Sequence, residues 1–222
     1  MHYFPINLDL RGKRCVVVGG GGVAERRVEV LLDCGADVLV VSPKVTTVLE
    51  ELAGRGEMTL VERPFAPEDV RDAFLVMSAT DDREVNAEVS RLARNAGILV
   101  SVADDPAISD FIMPATVRRG AFQISVCTSG KSPALAKRVR QELEGSYGEE
   151  YGLLVEILGD IREAVKAEHA DQGDRQAVFE SILDSDVIDL LAAGKVAEAK
   201  SRVRQILEDA KSGLGNGRGG QS

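Results

Sequence analysis

The chain has 222 residues, of which 27 are Lys or Arg and 36 are Asp or Glu, so its formal net charge at pH 7 is -9. This acidic balance argues against a general binder of the phosphate backbone, and therefore against nucleic acid as a partner. No apolar stretch approaches the roughly 20 residues that cross a bilayer, the N-terminus lacks the parts of a signal peptide, and the cysteines form no disulfide framework. These features predict a cytoplasmic protein with no membrane partner.

The first half of the chain alternates short β-branched runs with longer helical patterns, which is typical of βα units around a parallel sheet. Because these runs are largely apolar, we expect helices on both faces of the sheet. The fold class is therefore α/β, and residues 1–112 are expected to form a Rossmann-like domain. The five predicted strands are Cys15 to Val18, Asp37 to Val41, Met58 to Val61, Phe74 to Ala79 and Ile98 to Ala103.

The second half follows a different pattern. Two alternating runs flank Arg119-Gly120 and predict an antiparallel hairpin appended to the parallel sheet. Ser132 and Pro133 predict an N-cap and the first position of a helix that ends near Gly145. These elements make up 113–148; a helical domain follows at 149–212, with interruptions at Gly173 and Gly194, and the Gly-rich segment 213–222 is expected to be a disordered tail.

A glycine-rich loop directly follows the first strand and opens the first helix. Gly19, Gly21 and Ala24 fit the pattern G-x-G-x-x-A. In dinucleotide-binding folds such glycines allow a tight turn and a close approach of the backbone to pyrophosphate, and the helix start offers free N–H groups. The position inside a βαβ unit favours a dinucleotide site. The alternative is a turn whose glycines serve only close packing.

The end of the second strand, Ser42-Pro43-Lys44, lacks the acidic residue that usually binds the ribose of NAD. Ser42 can hydrogen-bond the ribose instead, while Lys44 can contact a 2′-phosphate, so these residues leave NAD and NADP both open. Thr80 follows the fourth strand. If the strand order is 3-2-1-4-5, Thr80 lies beside the cofactor; the alternative is that it caps the next helix.

Asp104 begins the segment after the fifth strand, on the sheet edge where open α/β sheets carry their chemistry. A carboxylate beside a nicotinamide can accept a proton while hydride leaves another atom of the substrate. The alternative is a turn, because Asp104-Asp105-Pro106 is also common turn chemistry.

A basic segment runs from Phe111 to Gln141, with six Lys or Arg residues and no Asp or Glu. Hydroxyl groups and a cation stand just before the helix at Pro133, which suits a carboxylate or a phosphate. The segment is either a solvated basic face or a binding site for a polyanionic small molecule. The residues in question are Arg118, Arg119, Thr128, Ser129, Lys131 and Ser132.

Together these motifs resemble the precorrin-2 dehydrogenase/sirohydrochlorin ferrochelatase family, which includes the N-terminal part of siroheme synthase. The similarity covers about residues 3 to 145, and beyond 150 only the helical character supports it. It is carried by Pro5-Ile6, Val18-Gly19-Gly20-Gly21 with Val23-Ala24-Glu25-Arg26, Ala79-Thr80-Asp81-Asp82 with Asn86, Asp104 with Phe111-Ile112-Met113-Pro114, and Ser129-Gly130-Lys131-Ser132-Pro133.

The resemblance implies NAD-dependent oxidation of precorrin-2 to sirohydrochlorin and, in many members, insertion of Fe²⁺ as a substrate with no permanent metal site. It implies that Asp104 is the general base, and that Gly22, Val23, Pro43 and Lys44 contact the cofactor. It also implies a homodimer whose contacts come largely from the hairpin and the following helix. Two other interpretations remain: a dehydrogenase without chelatase activity, and a non-catalytic nicotinamide-sensing domain.

Overall fold

The computed structural model describes residues 3–169 and 171–217, and the chain divides into two compact units. The sheet unit runs to Met113 and also includes Ser129–Lys131. The helical unit consists of Pro114–Thr128 and the chain from Ser132 onward.

In the sheet unit, five parallel strands hydrogen-bond in the order β3-β2-β1-β4-β5. All five predicted strands are confirmed, with ends that differ by no more than one residue. This is the strand order assumed in the sequence analysis, and it brings Thr80, which follows β4, beside the glycine loop, which follows β1. The elements are β1 (Arg14–Val18), α1 (Gly22–Asp33), β2 (Asp37–Val41), α2 (Thr47–Gly54), β3 (Thr59–Val61), β4 (Leu75–Ser78), α3 (Arg83–Asn95) and β5 (Leu99–Val102), with 3-10 helices at Pro67–Val70 and Pro106–Ile108.

Successive residues of β1 point to opposite faces of the sheet and enter two different cores. Val17 packs in a cluster with residues of α1 and α2, such as Val28 and Leu49, whereas Val16 packs with Val89 of α3. Each of these side chains is fully buried, and such burial stabilises the fold by about 1.5–3 kcal/mol per side chain. Helices on both faces, as predicted, therefore account for the largely apolar runs.

The hairpin is confirmed as an antiparallel pair, but in the described part of the chain its strands form a separate two-stranded sheet rather than extending the parallel one. Arg119 pairs with Phe122, so the two-residue loop is Gly120-Ala121, one residue later than predicted. Gly120 has a φ of 54°, which suits glycine at this turn. The helical unit contains β6 (Ala115–Arg119), β7 (Phe122–Val126), α4 (Pro133–Ser146), α5 (Glu149–Glu168), α6 (Gln172–Leu183), α7 (Val187–Ala192) and α8 (Val196–Gly217).

The breaks between the C-terminal helices were predicted only in part. Gly194, with a φ of 74°, separates α7 from α8 as predicted. The break predicted at Gly173 is wrong: this glycine lies in the first turn of α6, and its N–H donates to the carboxylate of the N-cap Asp171 at 2.7 Å. Gly213–Gly217 continue α8 where a disordered tail was predicted, since extending an existing helix is far easier than starting one. The rest of that predicted tail, 218–222, lies outside the described residues.

Among the helices described, none is both long enough and apolar enough to cross a membrane.

Candidate functional site

The carboxyl ends of β1, β4 and β5 are adjacent at one edge of the sheet. Gly19 directly follows β1, Ala79 and Thr80 follow β4, and Asp104 follows β5. The helix after β1 covers one face and the helix after β4 covers the other, so β1 and β4 flank the topological switch point. Ligands of open α/β sheets bind in the crevice at such a point.

Gly19 and Gly20 are required by the packing of the loop itself. Gly19 has a φ of 117°, and a Cβ there would overlap the carbonyl oxygen of Ala79 and lie 2.7 Å from its carbon. A Cβ at Gly20 would overlap the carbonyl oxygen of Lys44 and lie 2.6 Å from Cγ1 of Val45. For these two glycines the packing interpretation is sufficient.

Gly21 and Gly22 are different. A Cβ at Gly21 would meet nothing within 4 Å, and one at Gly22 would meet only the end of the Arg26 side chain at 3.9 Å. Gly21 has a φ of -84°, which any residue adopts, so neither space nor conformation in the described chain requires glycine here. A ligand that approaches the backbone closely would require it, as the pyrophosphate of a dinucleotide does.

The start of α1 offers the matching donors. Its N-cap is Gly21, and no side chain of the described residues caps the helix. Intrahelical bonding begins with the N–H of Glu25, which donates to the carbonyl of Gly21 at 3.0 Å. The N–H groups of Gly22 and Val23 precede it in the first turn, where helix N–H groups have no intrahelical acceptor. Backbone donors and the positive end of the helix dipole therefore suit a bound anion.

The loop after β2 lies against the glycine loop. Ser42 is 6% exposed, and its hydroxyl donates to the carbonyl of Lys44 at 2.7 Å. Its proton is thus used within the loop, and its oxygen can still accept a hydrogen bond from a ribose hydroxyl. Pro43 and Lys44 are exposed.

Thr80 stands at the end of β4, next to the carbonyl that touches Gly19. Its hydroxyl accepts from the N–H of Asp82 and lies within 3.0 Å of the Asp82 carbonyl. The interpretation of Thr80 as the N-cap of the next helix is wrong, because Asp82 caps α3 by accepting from the N–H groups of Glu84 and Val85. Thr80 instead stabilises the loop at the switch point.

Asp104 lies in a tight turn in which the N–H of Asp105 donates to the carbonyl of Val102 at 3.3 Å. Asp104 is the third residue of this turn and has a φ of 60°, a conformation in which glycine and asparagine are usual. Its side chain is exposed, and within the described residues no hydrogen bond engages its carboxylate. The carboxylate of Asp105, in contrast, accepts from the N–H of Ala107 at 3.1 Å. The turn chemistry thus belongs to Asp105, which leaves Asp104 available for a substrate.

Arg27 of α1 is a charged neighbour of Asp104 that was not predicted. Burial and the charge of Arg26 lower the pKa of Arg27, and the negative charge of Asp104 acts in the opposite direction. The sequence carried only a weak signal for Arg27, because one arginine among several on a surface helix is not distinctive.

The loop Ser129–Lys131 belongs to the sheet unit together with Asp104. Ser129 and Gly130 have φ values of 53° and 75°, and a Cβ added at Gly130 would lie 3.9 Å from Cγ of Pro106. This part of the predicted substrate segment therefore lies beside the turn that carries Asp104. Lys131 is exposed there and has no ion pair among the described residues.

Thr128 and Ser132 close that loop. The hydroxyl of Thr128 donates to the carbonyl of Ser132 at 3.1 Å and accepts from its N–H at 3.2 Å. Ser132 is the N-cap of α4, as predicted, because its hydroxyl accepts from the N–H of Leu135. Both hydroxyls therefore hold the local backbone.

Three of the six basic residues of the segment form ion pairs with acids that follow it. The Arg119 guanidinium donates to the carbonyls of Arg118, Glu144 and Tyr147 and pairs with Glu149, which favours a packing role. Two further arginines of α4 pair with glutamates one turn later, Arg138 with Glu142 and Arg140 with Glu144. Arg118 donates to the side chain of Gln123 at 3.3 Å. The net charge of the segment therefore overstated its local field.

Over the ranges that the structure covers, His, Cys, Asp and Glu side chains form no group of three or more that could hold a metal ion.

Models of known protein families match most of the chain. Residues 6–115 match a family model described as NAD(P)-binding, 119–146 match the central region of sirohaem biosynthesis proteins, and 150–207 match the dimerisation region of sirohaem synthase. The dimerisation model thus falls on α5 to α8, whereas the sequence predicted the dimer contacts at 113–148.

Individual relatives agree with these matches. The chain is 39% identical to siroheme synthase 3 of Aeromonas hydrophila and 36% identical to siroheme synthase of Nitrosococcus oceani, over 94% of its own length in each case. It spans less than half of these relatives, 45% and 44% of their lengths. Among solved structures, the precorrin-2 dehydrogenase SirC is 26% identical and superimposes with a TM-score of 0.73 over 91% of this chain and 100% of that one. The chain belongs to the precorrin-2 dehydrogenase/sirohydrochlorin ferrochelatase family, which includes the N-terminal part of siroheme synthase.

Proposed function

We propose that this chain oxidises precorrin-2 to sirohydrochlorin with NAD as the cofactor. The observation that carries the proposal is the Asp104 carboxylate, which no hydrogen bond of the described chain engages, at the sheet edge where the glycine loop opens α1. The similarity to a precorrin-2 dehydrogenase supports the substrate. The match to an NAD(P)-binding family supports the cofactor.

The reaction removes two hydrogens from the substrate: one leaves as hydride and the other as a proton. NAD, when bound, accepts the hydride. Asp104 accepts the proton as its bond to the substrate breaks, and because the side chain is exposed, the proton can pass on to water. Precorrin-2 and NAD⁺ thus give sirohydrochlorin, NADH and one proton, and no other oxidant is needed.

Three loops of the chain form the proposed NAD site. The backbone of Gly21, Gly22 and Val23 binds the pyrophosphate. Ser42 accepts a hydrogen bond from the adenosine ribose, with Pro43 and Lys44 beside it, and Thr80 holds the β4 loop on the other side of the crevice.

We expect NADH formation to exceed NADPH formation when the two oxidised cofactors are compared at equal concentration.

Substitution of Lys131 should affect substrate binding, whereas substitution of Arg119 should affect stability. Lys131→Ala removes an exposed cation beside the Asp104 turn, and we expect the KM for precorrin-2 to rise about tenfold, since a charge-assisted hydrogen bond contributes about 1.5–3 kcal/mol. Arg119→Ala leaves three carbonyls and Glu149 without their donor, so it is expected to lower the free energy of unfolding by about 1–3 kcal/mol. Steady-state kinetics and urea unfolding of both variants test this. A larger KM effect for Arg119→Ala than for Lys131→Ala would contradict it.

Insertion of Fe²⁺ into sirohydrochlorin is proposed as a second activity of the same edge. Metal insertion releases two N–H protons from the macrocycle, and the unengaged Asp104 carboxylate is a suitable acceptor. Siroheme absorbance after addition of Fe²⁺ to sirohydrochlorin, with and without the protein, tests this activity separately from the dehydrogenase.

We also propose that the chain is a homodimer in which α5 to α8 supply contacts, because the dimerisation model covers 150–207. Light scattering of the purified protein measures the molar mass.

The dehydrogenase is tested by anaerobic incubation of the protein with precorrin-2 and NAD. We expect sirohydrochlorin absorbance and NADH fluorescence to rise together. Tight NAD binding without either signal would contradict the enzyme and favour a nicotinamide-sensing domain.

A further inference from the structure

Helix α3 carries a row of three polar side chains on one face, and the first two of them are buried. Asn86, Ser90 and Arg94 follow one another at intervals of four residues, which places them on one face of the helix. Asn86 is 8% exposed and Ser90 is 2% exposed. Burying such groups is unfavourable unless they are hydrogen-bonded, so their partners indicate what the row does.

Asn86 binds the loop after β4. Its amide nitrogen donates to the carbonyl of Thr80 at 2.9 Å. Its amide oxygen accepts from the hydroxyl of Ser78 at 2.6 Å and lies 3.3 Å from that of Thr80. The stretch between Ser78 and Thr80 contains Ala79, the residue whose carbonyl touches Gly19. Asn86 therefore determines where the β4 loop lies against the glycine loop.

Ser90, one turn further along α3, binds the segment after β5. Its hydroxyl donates to the carbonyl of Ile108 at 2.6 Å, at the end of the 3-10 helix that directly follows the Asp104 turn. On the other side of this segment, Ser109 donates to the carbonyl of Asp105 at 2.7 Å and accepts from the N–H of Val102 at 2.9 Å. The turn that carries Asp104 is thus held between β5 and α3.

Arg94 completes the row and anchors the same segment one turn further from the edge. Its Nε donates to the carboxylate of Asp110 at 2.9 Å, and that carboxylate also accepts from the N–H of Val100 in β5 at 3.1 Å. The first residue of the row thus contacts the loop after β4, and the other two contact the segment after β5.

We propose that Asn86 and Ser90 are positioning residues with separate tasks: Asn86 holds the loop that borders the NAD site, and Ser90 holds the turn that presents Asp104. The assignment rests on the proposed function, since it takes Asp104 as the base and the glycine loop as the cofactor site. One rigid helix then sets the distance between cofactor and base. A displacement of about 1 Å at such a site can lower the rate about 100-fold.

Asn86→Ala and Ser90→Ala test the proposal, with Val89→Ala as the control. Val89 lies between them on α3, is fully buried in the core and touches neither loop through a hydrogen bond, so its truncation lowers stability without releasing a loop. We expect Asn86→Ala to raise the Kd for NAD about tenfold and to leave kcat at saturating NAD within about threefold of wild type. Ser90→Ala is expected to show the reverse, with kcat about tenfold lower and the Kd for NAD within about twofold.

Hydrogen exchange provides a readout that does not depend on turnover. Asn86→Ala should accelerate exchange of the amides in 79–82 alone, Ser90→Ala should accelerate those in 104–108 alone, and Val89→Ala should do neither at a similar urea midpoint. Equal acceleration of both segments in either variant, or the same pattern in Val89→Ala, would overturn the proposal. If wild type binds NAD but does not oxidise precorrin-2, the proposed function fails, while the exchange pattern still decides whether the two residues hold separate loops.

Discussion

Asp104→Asn is expected to lower kcat for precorrin-2 oxidation by about 10²–10⁴-fold, because the amide cannot accept the proton that the carboxylate takes. Asparagine has the same shape and tolerates the φ of 60° found at this position, so the turn should be kept. The Kd for NAD and the urea midpoint should both remain close to wild type. Stopped-flow detection of NADH and equilibrium unfolding measure these quantities.

The neighbouring carboxylate supplies a matched control. Asp105→Asn makes the same chemical change one residue away, and asparagine can still cap the 3-10 helix at Ala107, so turnover should stay within about threefold of wild type. Asp104→Ala is a less clean variant, because alanine at positive φ costs about 1–2 kcal/mol and disturbs the turn as well as the chemistry. Comparable losses in Asp104→Asn and Asp105→Asn would mean that the turn, not the Asp104 carboxylate, carries the effect.

Substitutions in the glycine loop should separate folding from cofactor binding. Gly19→Ala places a methyl group against the Ala79 carbonyl and forces alanine to a φ of 117°, so we expect it to lower the free energy of unfolding by about 3 kcal/mol or more. Gly21→Ala meets nothing within 4 Å and has an ordinary φ, so its stability should match wild type within about 0.5 kcal/mol. Because the added methyl group faces the approach of the pyrophosphate, NAD binding should weaken at least tenfold.

Thermal unfolding and calorimetric titration with NAD distinguish the two cases. Gly54→Ala is a control for the general effect of removing a glycine, since a Cβ there also meets nothing within 4 Å and the residue ends α2, away from the glycine loop. Unchanged NAD affinity in Gly21→Ala would show that the open backbone of α1 is not where the dinucleotide binds.

The sheet could be predicted closely because a single physical rule governs it. A parallel strand covered on both faces is mostly apolar, so each strand stands out as a short, largely apolar run in the sequence. Val16 and Val17 face different cores, yet both are apolar. The strand can therefore be recognised in the sequence before the helices that pack against it are known. The glycine pattern and the position of Asp104 at a strand end were readable for a similar reason, since both depend on chain order alone.

The features that were missed depend on contacts between segments. Arg138 and Arg140 pair with acids that lie beyond the basic segment as it was delimited, so the absence of acids within it did not imply a free positive field. Gly173 looked like a break, but the neighbouring Asp171 supplies a cap and the helix accommodates the glycine. The task of Ser90 appears only once the Ile108 carbonyl is seen within 2.6 Å of its hydroxyl. The sequence did contain one signal for Ser90: it belongs to a row of polar residues at intervals of four in α3.

In the proposed reaction, one chain binds NAD at the glycine loop and supplies the proton acceptor at Asp104. The most direct measurement is an anaerobic single turnover in which NADH and sirohydrochlorin are quantified together for wild type and for Asp104→Asn. We expect one NADH for each sirohydrochlorin with wild type, and formation of both products slowed at least about 100-fold with Asp104→Asn, which still binds NAD. Sirohydrochlorin formed without NADH, or formed equally by both proteins, would contradict this expectation.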